Sequence, residues 1–236
     1  MGMDGVHTVK SFEHELDHLR GMMARMCGIV ENQVSQAVSA VLDHNVTAAQ
    51  EAIDHDPMVD QLERDIEGLA IRLLALRSPM AGDLREIVSA LKISSDLERI
   101  GDYAASIARR STRVDLTDSL SLSGLRNMGR MVQENLRRGA DAMTLQDPER
   151  AQEVWEADCE VDEYYTALFR ELVTYMMEDP RNIGPCIHLL FIAKNLERIG
   201  DHTTNIAERV FYAVKGENLP PVRPRGKSSA ADAIDQ

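Results

Sequence analysis

One stretch of fourteen residues occurs in two closely similar copies in this chain. Residues 96–109 read DLERIGDYAASIAR, and residues 195–208 read NLERIGDHTTNIAE. The six letters LERIGD are identical, and corresponding residues differ in number by 99. In both copies the apolar residues recur at steps of three and four, the spacing of one face of an α-helix. The repetition predicts two copies of one helical unit.

Helical periodicity continues on both sides of the repeated stretch. Apolar stripes of this kind cover residues 16–41, 59–76, 87–108, 125–142, 161–175 and about 187–213. Pro79 and Gly82 predict a turn between the second and third stripes. Asp147 and Pro148 predict a helix start, with the aspartate as N-cap and the proline at the first helical position. Each half of the chain therefore predicts three helices.

The predicted fold is all-α, with two tandem, internally repeated three-helix bundles. Ala, Leu, Glu, Arg and Met are abundant, and the alternating runs that mark strands are missing. The second half matches the first at offsets of 102 and then 99, so the length difference falls in a turn between helices. We predict the following organisation: an N-terminal tail over residues 1–10, bundles over 11–114 and 115–215 joined near 112–119, and a disordered tail over 216–236.

The composition of the chain limits the classes of function that it can have. The net charge of −13 disfavours nucleic acid as a partner, because binding phosphate backbones requires a basic face. The three cysteines show no pairing pattern, which favours a reducing, cytoplasmic setting. We expect no signal peptide, and no apolar stretch reaches the roughly 18 residues that a membrane span needs.

Pairs of carboxylates recur at helical spacing. Residues four apart lie on one face of a helix, so Glu98 and Asp102 point the same way. The pattern Asp-x-x-Val-Asp occurs twice on the middle helices of the two units. If the middle and last helices of a unit lie antiparallel, one pair from each can meet. The predicted ligands are Asp56, Asp60, Glu98 and Asp102 in the first unit and Asp158, Asp162, Glu197 and Asp201 in the second.

Four carboxylates in one place favour a metal ion, because burying them without a counter-charge is costly. Oxygen-only sites suit Mg²⁺, Mn²⁺, iron and Ca²⁺, whereas zinc more often takes His and Cys ligands as well. The predicted cofactors are metal ions on carboxylates, with iron, manganese, magnesium and zinc left open. The alternative is surface acids paired with Arg99, Arg198 and Lys194. Recurrence at repeat-related positions favours the metal.

Two further features qualify this prediction. Gly101 and Gly200 stand between the paired acids, which suggests close helix approach, although ordinary tight packing also explains a small residue. Pro57 lies inside the first Asp-x-x-Val-Asp and predicts either a kink or a fresh helix start with Asp56 as cap. Cys159 takes the equivalent place in the second unit. The two clusters are therefore not expected to bind metal equally.

At these residues the sequence resembles the PhoU family, regulators of bacterial phosphate uptake. The phrases DPMVDQLERDIE (56–67), DLREIVSALKISSDLERIGDYA (83–104) and FIAKNLERIGDH (191–202) carry the resemblance. It spans roughly residues 10–215 and both copies. The resemblance implies two tandem three-helix bundles, and it implies that the eight carboxylates named above bind metal ions, often as multinuclear clusters.

The resemblance also implies a non-enzymatic adaptor that represses phosphate-starvation signalling when phosphate is ample. The implied partners are a phosphate-sensing histidine kinase and the ATPase of the phosphate ABC transporter, which would hold the protein at the inner membrane face. A homodimer is left open. The rival hypothesis is a carboxylate-bridged metalloenzyme, against which stands the absence of a Glu-x-x-His motif. A scaffold with solvated acids is the third. We predict no catalytic residues and no organic cofactor.

Overall fold

The computed structural model describes residues 3–113 and 120–220, with residues 3–10 as backbone only. This part of the chain forms α-helices and one short 3₁₀ helix, and no strand is present in it. The helices are α1 Met3–Leu42, α2 Val46–Arg77, α3 Ala81–Ser111, α4 Ser123–Leu145, α5 Pro148–Glu178 and α6 Ile183–Lys215. The 3₁₀ helix, Pro180–Asn182, joins α5 to α6. The all-α prediction is confirmed.

Local sequence sets the helix ends. The side chain of Asn45 accepts a hydrogen bond from the backbone N–H of Ala48 and starts α2. Asp147 does the same for Arg150 at the start of α5, where Pro148 occupies the first turn, as the sequence predicts. Gly216 ends α6 with a φ of 76°, a left-handed conformation that glycine adopts without strain.

The helices pack as two bundles of three around one continuous core. Helices α1, α2 and α3 contact one another, and so do α4, α5 and α6. The bundles join because α3 packs on α6 and α1 packs on α4. Met26, Ile66 and Ile100 have no solvent exposure in the first bundle, and Met128 and Ile199 have none in the second. The tandem three-helix prediction is confirmed.

Helices α3 and α6 cross antiparallel with approximate two-fold symmetry. Asn205 donates a hydrogen bond to Asp96 at 3.3 Å, and Asn195 donates one to Ser106 at the same distance. These contacts are equivalent, because each pair exchanges when residue numbers shift by 99. The seam that joins the bundles therefore runs between the two copies of the repeated stretch.

Two element boundaries differ from the sequence prediction. Helix α1 begins at Met3, within the tail assigned to residues 1–10, because residues 3–10 contain no proline to stop a helix. Helix α6 begins at Ile183, before the predicted 187, because Pro185 lies in the first turn, where its missing N–H costs no helical bond. The linker residues 114–119 and the tail beyond residue 220 lie outside the described part, and the domain boundaries stay predictions.

Helix α2 runs unbroken through Pro57. The predicted fresh start with Asp56 as cap is therefore wrong, and the kink stays a prediction. Burial explains why the helix continues. Ala52 and Val59, on either side of the proline, are 0% and 1% exposed, so core packing holds both turns in place. None of the described helices combines the length and hydrophobicity that a membrane crossing requires.

Candidate metal centres

The first candidate centre lies where α2 passes α3. Asp56 and Asp60 are on α2, and Glu98 and Asp102 are on α3. All four are half-exposed rather than fully solvated, and Asp56 and Glu98 each have 21% side-chain exposure. The packing of α2 on α3 therefore gathers the two acid pairs at one side of the first bundle. We call this group the first cluster.

The electrostatics of the first cluster show that its carboxylates crowd one another. Burial raises the pKa of Asp56 above its ordinary value, and Asp102 and Asp60 raise it further while Arg109 opposes the rise. Burial likewise raises the pKa of Glu98, with added contributions from Asp102 and Asp60 and opposition from a neighbouring arginine. The ionised cluster is therefore short of positive charge.

The cations around the first cluster are only loosely placed. Arg109 approaches the Asp56 carboxylate to 3.5 Å, and Arg99 lies 3.7 Å from Glu98 and 3.9 Å from Asp102. The side chains of Arg109 and Arg99 are 46% and 58% exposed, so solvent screens these ion pairs strongly. The surface-pairing alternative thus holds in part, because Arg99 does contact the acids, but it leaves the cluster incompletely neutralised.

The second cluster lies where α5 passes α6. Burial raises the pKa of Asp201, and Asp158, Glu197 and Asp162 raise it further while Lys194 opposes them. Lys194 forms an ion pair with Glu197. Asp158 is only 3% exposed, although Asp162 and Asp201 are exposed. The second cluster therefore repeats the arrangement of the first, with one carboxylate buried. We define it as Asp158, Asp162, Glu197 and Asp201.

Two glycines allow the helices of each cluster to approach closely. A Cβ atom added at Gly101 would lie 3.0 Å from Gln33 Oε1 and 3.4 Å from Val59 Cγ1. A Cβ added at Gly200 would lie 3.5 Å from Val161 Cγ1 and 3.6 Å from the Asp158 carboxylate. The predicted close approach is present at both glycines, and the gap is tighter at Gly101.

The two glycines therefore predict opposite effects of alanine. Gly200→Ala meets only ordinary van der Waals contacts and gains helix propensity, so we expect it to stabilise by up to about 1 kcal/mol. Gly101→Ala must push the buried Gln33 carboxamide back by a few tenths of an ångström, which strains its hydrogen bond to Ala52, so we expect a net loss of about 1–2 kcal/mol. Urea unfolding followed by circular dichroism measures both. Equal effects of the two substitutions would contradict the difference in packing.

Sequence reasoning missed two residues near the clusters. Gln33 follows Val30 by three residues and precedes Ala37 by four, so the sequence places it on the apolar stripe of the first helix. A single polar residue in such a stripe does not by itself indicate a functional role. The role of Arg109 beside Asp56 left no comparable signal, because its second-copy counterpart is Glu208, which accepts a hydrogen bond from Trp155 Nε1 at 3.1 Å.

The donor sets fit hard and intermediate cations. Carboxylate oxygens are the ligands that Mg²⁺, Mn²⁺ and Ca²⁺ prefer. Among the residues that the structure describes, no three Asp, Glu, His or Cys side chains are already arranged around one metal position. Ligation would therefore require the carboxylates of a cluster to turn toward one another. The role of the eight residues as metal ligands stays a prediction.

His202 serves packing between the bundles rather than the clusters. Its Nδ1 lies 2.8 Å from Asp96 Oδ1, and its ring centroid lies 5.7 Å from that of Tyr103, its counterpart in the first copy. Arg198, a candidate partner for the acids, has its guanidinium carbon 5.5 Å from the Tyr103 ring centroid. The bundle seam therefore accounts for the polar residues beside the second LERIGD.

Fold and site together define a class: tandem-repeat helical-bundle proteins with one interhelical carboxylate cluster in each bundle. The PhoU domain model matches twice, over residues 23–111 and 125–210. The chain therefore belongs to the PhoU domain family, and the resemblance predicted from the sequence is confirmed.

Relatives and solved structures agree with this assignment. A phosphate-specific transport system accessory protein PhoU homolog of Caulobacter vibrioides is 50% identical over 93% of this chain and 96% of its own. The crystal structure of PhoU from Pseudomonas aeruginosa has a TM-score of 0.85 at 41% identity, covering 87% of this chain and all (100%) of its own. PhoU from Streptococcus pneumoniae gives a TM-score of 0.81 at 31% identity, covering 89% and 99%.

Proposed function

We propose that this chain is a metal-binding regulator of phosphate uptake and phosphate-starvation signalling. Its relatives are named accessory proteins of the phosphate-specific transport system, which supports a role in regulating phosphate transport. One observation carries the metal-binding part. The four-carboxylate cluster occurs twice at repeat-related positions, and in each copy burial, followed by the neighbouring acids, raises carboxyl pKa values.

The proposed mode of action is that of a non-enzymatic cytoplasmic adaptor. It represses the starvation response when phosphate is ample. The proposed partners are a phosphate-sensing histidine kinase and the ATPase of the phosphate ABC transporter, through which the protein would reside at the inner membrane face. The word accessory in the names of its relatives supports an adaptor.

Metal binding would act on the fold by joining helices. Each cluster takes two acids from the middle helix of a bundle and two from the last helix. A cation shared between them would neutralise the repulsion and fix the angle between these helices. Because α3 and α6 also form the seam between the bundles, the same ions would steady the surface that the whole molecule offers to a partner.

Removal of one glutamate from each cluster should abolish metal retention. We expect wild type loaded with Mn²⁺ and then desalted to keep at least one ion per cluster, and Glu98→Ala/Glu197→Ala to keep close to none. The reason is that each substitution removes a ligand from the shared edge of two helices. Elemental analysis measures the content. Glu67→Ala/Glu178→Ala removes two exposed helical acids and provides the matched control.

A repression assay tests whether the metal matters for regulation. In cells that lack this protein, a phosphate-starvation reporter should stay active in ample phosphate, and the wild-type chain should silence it. The metal-free double variant should fail to silence the reporter, provided that it folds and accumulates normally. A stable, metal-free variant that still represses normally would exclude a regulatory role for the metal.

A further inference from the structure

A buried glutamine lies against the first cluster. Gln33 of α1 has no solvent exposure, and its Nε2 donates a hydrogen bond to the carbonyl oxygen of Ala52 at 2.8 Å. Its Oε1 is buried without a hydrogen-bond partner among the described residues. The same oxygen is the atom nearest to the place where a Gly101 Cβ would stand. One carboxamide thus connects α1 to both helices that carry the cluster.

The second bundle fills the equivalent place differently. Beside Gly200, the nearest atoms belong to Val161 and to the carboxylate of Asp158, and none comes from α4. The counterpart of Gln33 is Asn135, at an offset of 102, which is shorter by one methylene and half-buried. The pocket beside the glycine therefore holds a carboxamide in the first bundle and a carboxylate in the second.

The equivalent aspartates of the two bundles, Asp56 and Asp158, also differ in their exposure to solvent. Asp158 is 3% exposed, whereas the side chain of Asp56 is 21% exposed and approaches Arg109. Beside Gly101 the closest atoms all belong to Gln33 and Val59, so the Asp56 carboxylate is not the neighbour that Asp158 is in the second bundle. Since two side chains cannot fill one space, Gln33 and an inward Asp56 exclude each other.

Gln33 also holds the backbone that carries Asp56. In a helix the carbonyl oxygen of Ala52 belongs to the turn that ends at residue 56. The next turn lacks one hydrogen bond, because Pro57 has no N–H to donate. The bond from Gln33 therefore holds α2 immediately before the turn that Pro57 leaves one hydrogen bond short.

We propose that Gln33 is the positioning residue that makes the two clusters unequal, by occupying the space beside Gly101 and holding the Asp56 carboxylate outward toward Arg109. This proposal rests on the proposed function, since it assumes that both clusters bind a divalent cation. The second cluster keeps a carboxylate inside the helix interface and binds the cation more tightly. The first cluster has an aspartate turned toward a resident guanidinium and binds more weakly.

The test compares Mn²⁺ affinities of full-length variants in which a single cluster remains. The first cluster is isolated by Glu197→Ala/Asp201→Ala, and the second by Glu98→Ala/Asp102→Ala. In the first background we expect Gln33→Asn to tighten Mn²⁺ binding about tenfold, the size typical of residues that orient metal ligands. In the second, Asn135→Gln should weaken binding by a similar factor.

A control and a second readout separate positioning from general packing. Gln36→Asn alters another glutamine of α1 that bonds α2, at Glu51 and near His55, and should leave both affinities unchanged. Trp155, the one tryptophan of the chain, lies one helical turn before Asp158. Quenching of its fluorescence by Mn²⁺ should report the second cluster, and in wild type it should saturate before total binding does.

Each outcome decides the proposal. Unchanged or weaker Mn²⁺ binding by Gln33→Asn would overturn it while leaving the proposed function intact. If that variant does not fold, Asn135→Gln decides alone, because unchanged affinity there would equally overturn the proposal. Failure of both wild-type clusters to bind Mn²⁺ would overturn the proposed function together with this one.

Discussion

Trp155→Ala is expected to lower the free energy of unfolding by about 3–5 kcal/mol, the range found when large aromatic side chains are removed from a core. Trp155 is 3% exposed on α5, and its indole N–H donates to Glu208 of α6 at 3.1 Å. The substitution removes buried apolar surface and also leaves the half-buried Glu208 carboxylate without this donor. The second bundle should unfold first, since Trp155 and Glu208 both belong to it.

Two companion variants divide this loss into parts. Trp155→Phe keeps one aromatic ring but removes the five-membered ring that carries the donor, so it should cost about 1–3 kcal/mol, chiefly the penalty for a polar group that loses its partner. Ile53→Ala at the equivalent position of the first bundle should cost less than Trp155→Ala, because Ile53 is smaller and half-buried. Urea unfolding followed by far-ultraviolet circular dichroism suits all three. A Trp155→Ala loss below that of Ile53→Ala would contradict this account of the packing.

The helices and their pairing could be predicted because they depend on repeated, local patterns. The 3.6-residue period marked the apolar faces, and the offsets of 102 and 99 revealed the duplicated unit. Asp147 and Pro148 carried a start signal of their own. The composition of the carboxylate pairs was equally visible, since each lies within one turn of one helix.

What the sequence left open depends on contacts between distant residues. Helix α2 continues through Pro57 because the packing of Ala52 and Val59 outweighs one lost hydrogen bond, a balance that local propensity does not show. The position of Gln33 beside Gly101 depends on how α1 packs against α2 and α3. The predicted inequality of the clusters was attributed to Pro57, whereas the structure adds Gln33, Arg109 and the burial of Asp158.

Bound metal is expected to raise the stability of the protein cluster by cluster. At a free Mn²⁺ concentration one hundred times the dissociation constant, each occupied cluster should add about 2.7 kcal/mol to the free energy of unfolding. For a chain of this size that corresponds to a rise in Tm of about 5–11 °C per cluster. Glu98→Ala/Asp102→Ala should lose one such increment and keep the other. Differential scanning calorimetry at matched Mn²⁺ concentrations measures the shifts.

Without metal, the order of stability of wild type and Glu98→Ala/Asp102→Ala should be the reverse of the order with Mn²⁺. Burial and the neighbouring Asp102 raise the pKa of Glu98 on folding, so the ionised Glu98 opposes the folded state near neutral pH, and removing it together with Asp102 relieves repulsion. Without metal, Glu98→Ala/Asp102→Ala should therefore unfold at or above the Tm of wild type, and with Mn²⁺ it should unfold below it. A reversal of the order of the two Tm values on adding Mn²⁺ would identify Glu98 and Asp102 as metal ligands rather than stabilising structural groups. If the variant were less stable under both conditions, the acids would be structural groups, and the arginine beside them their true partner.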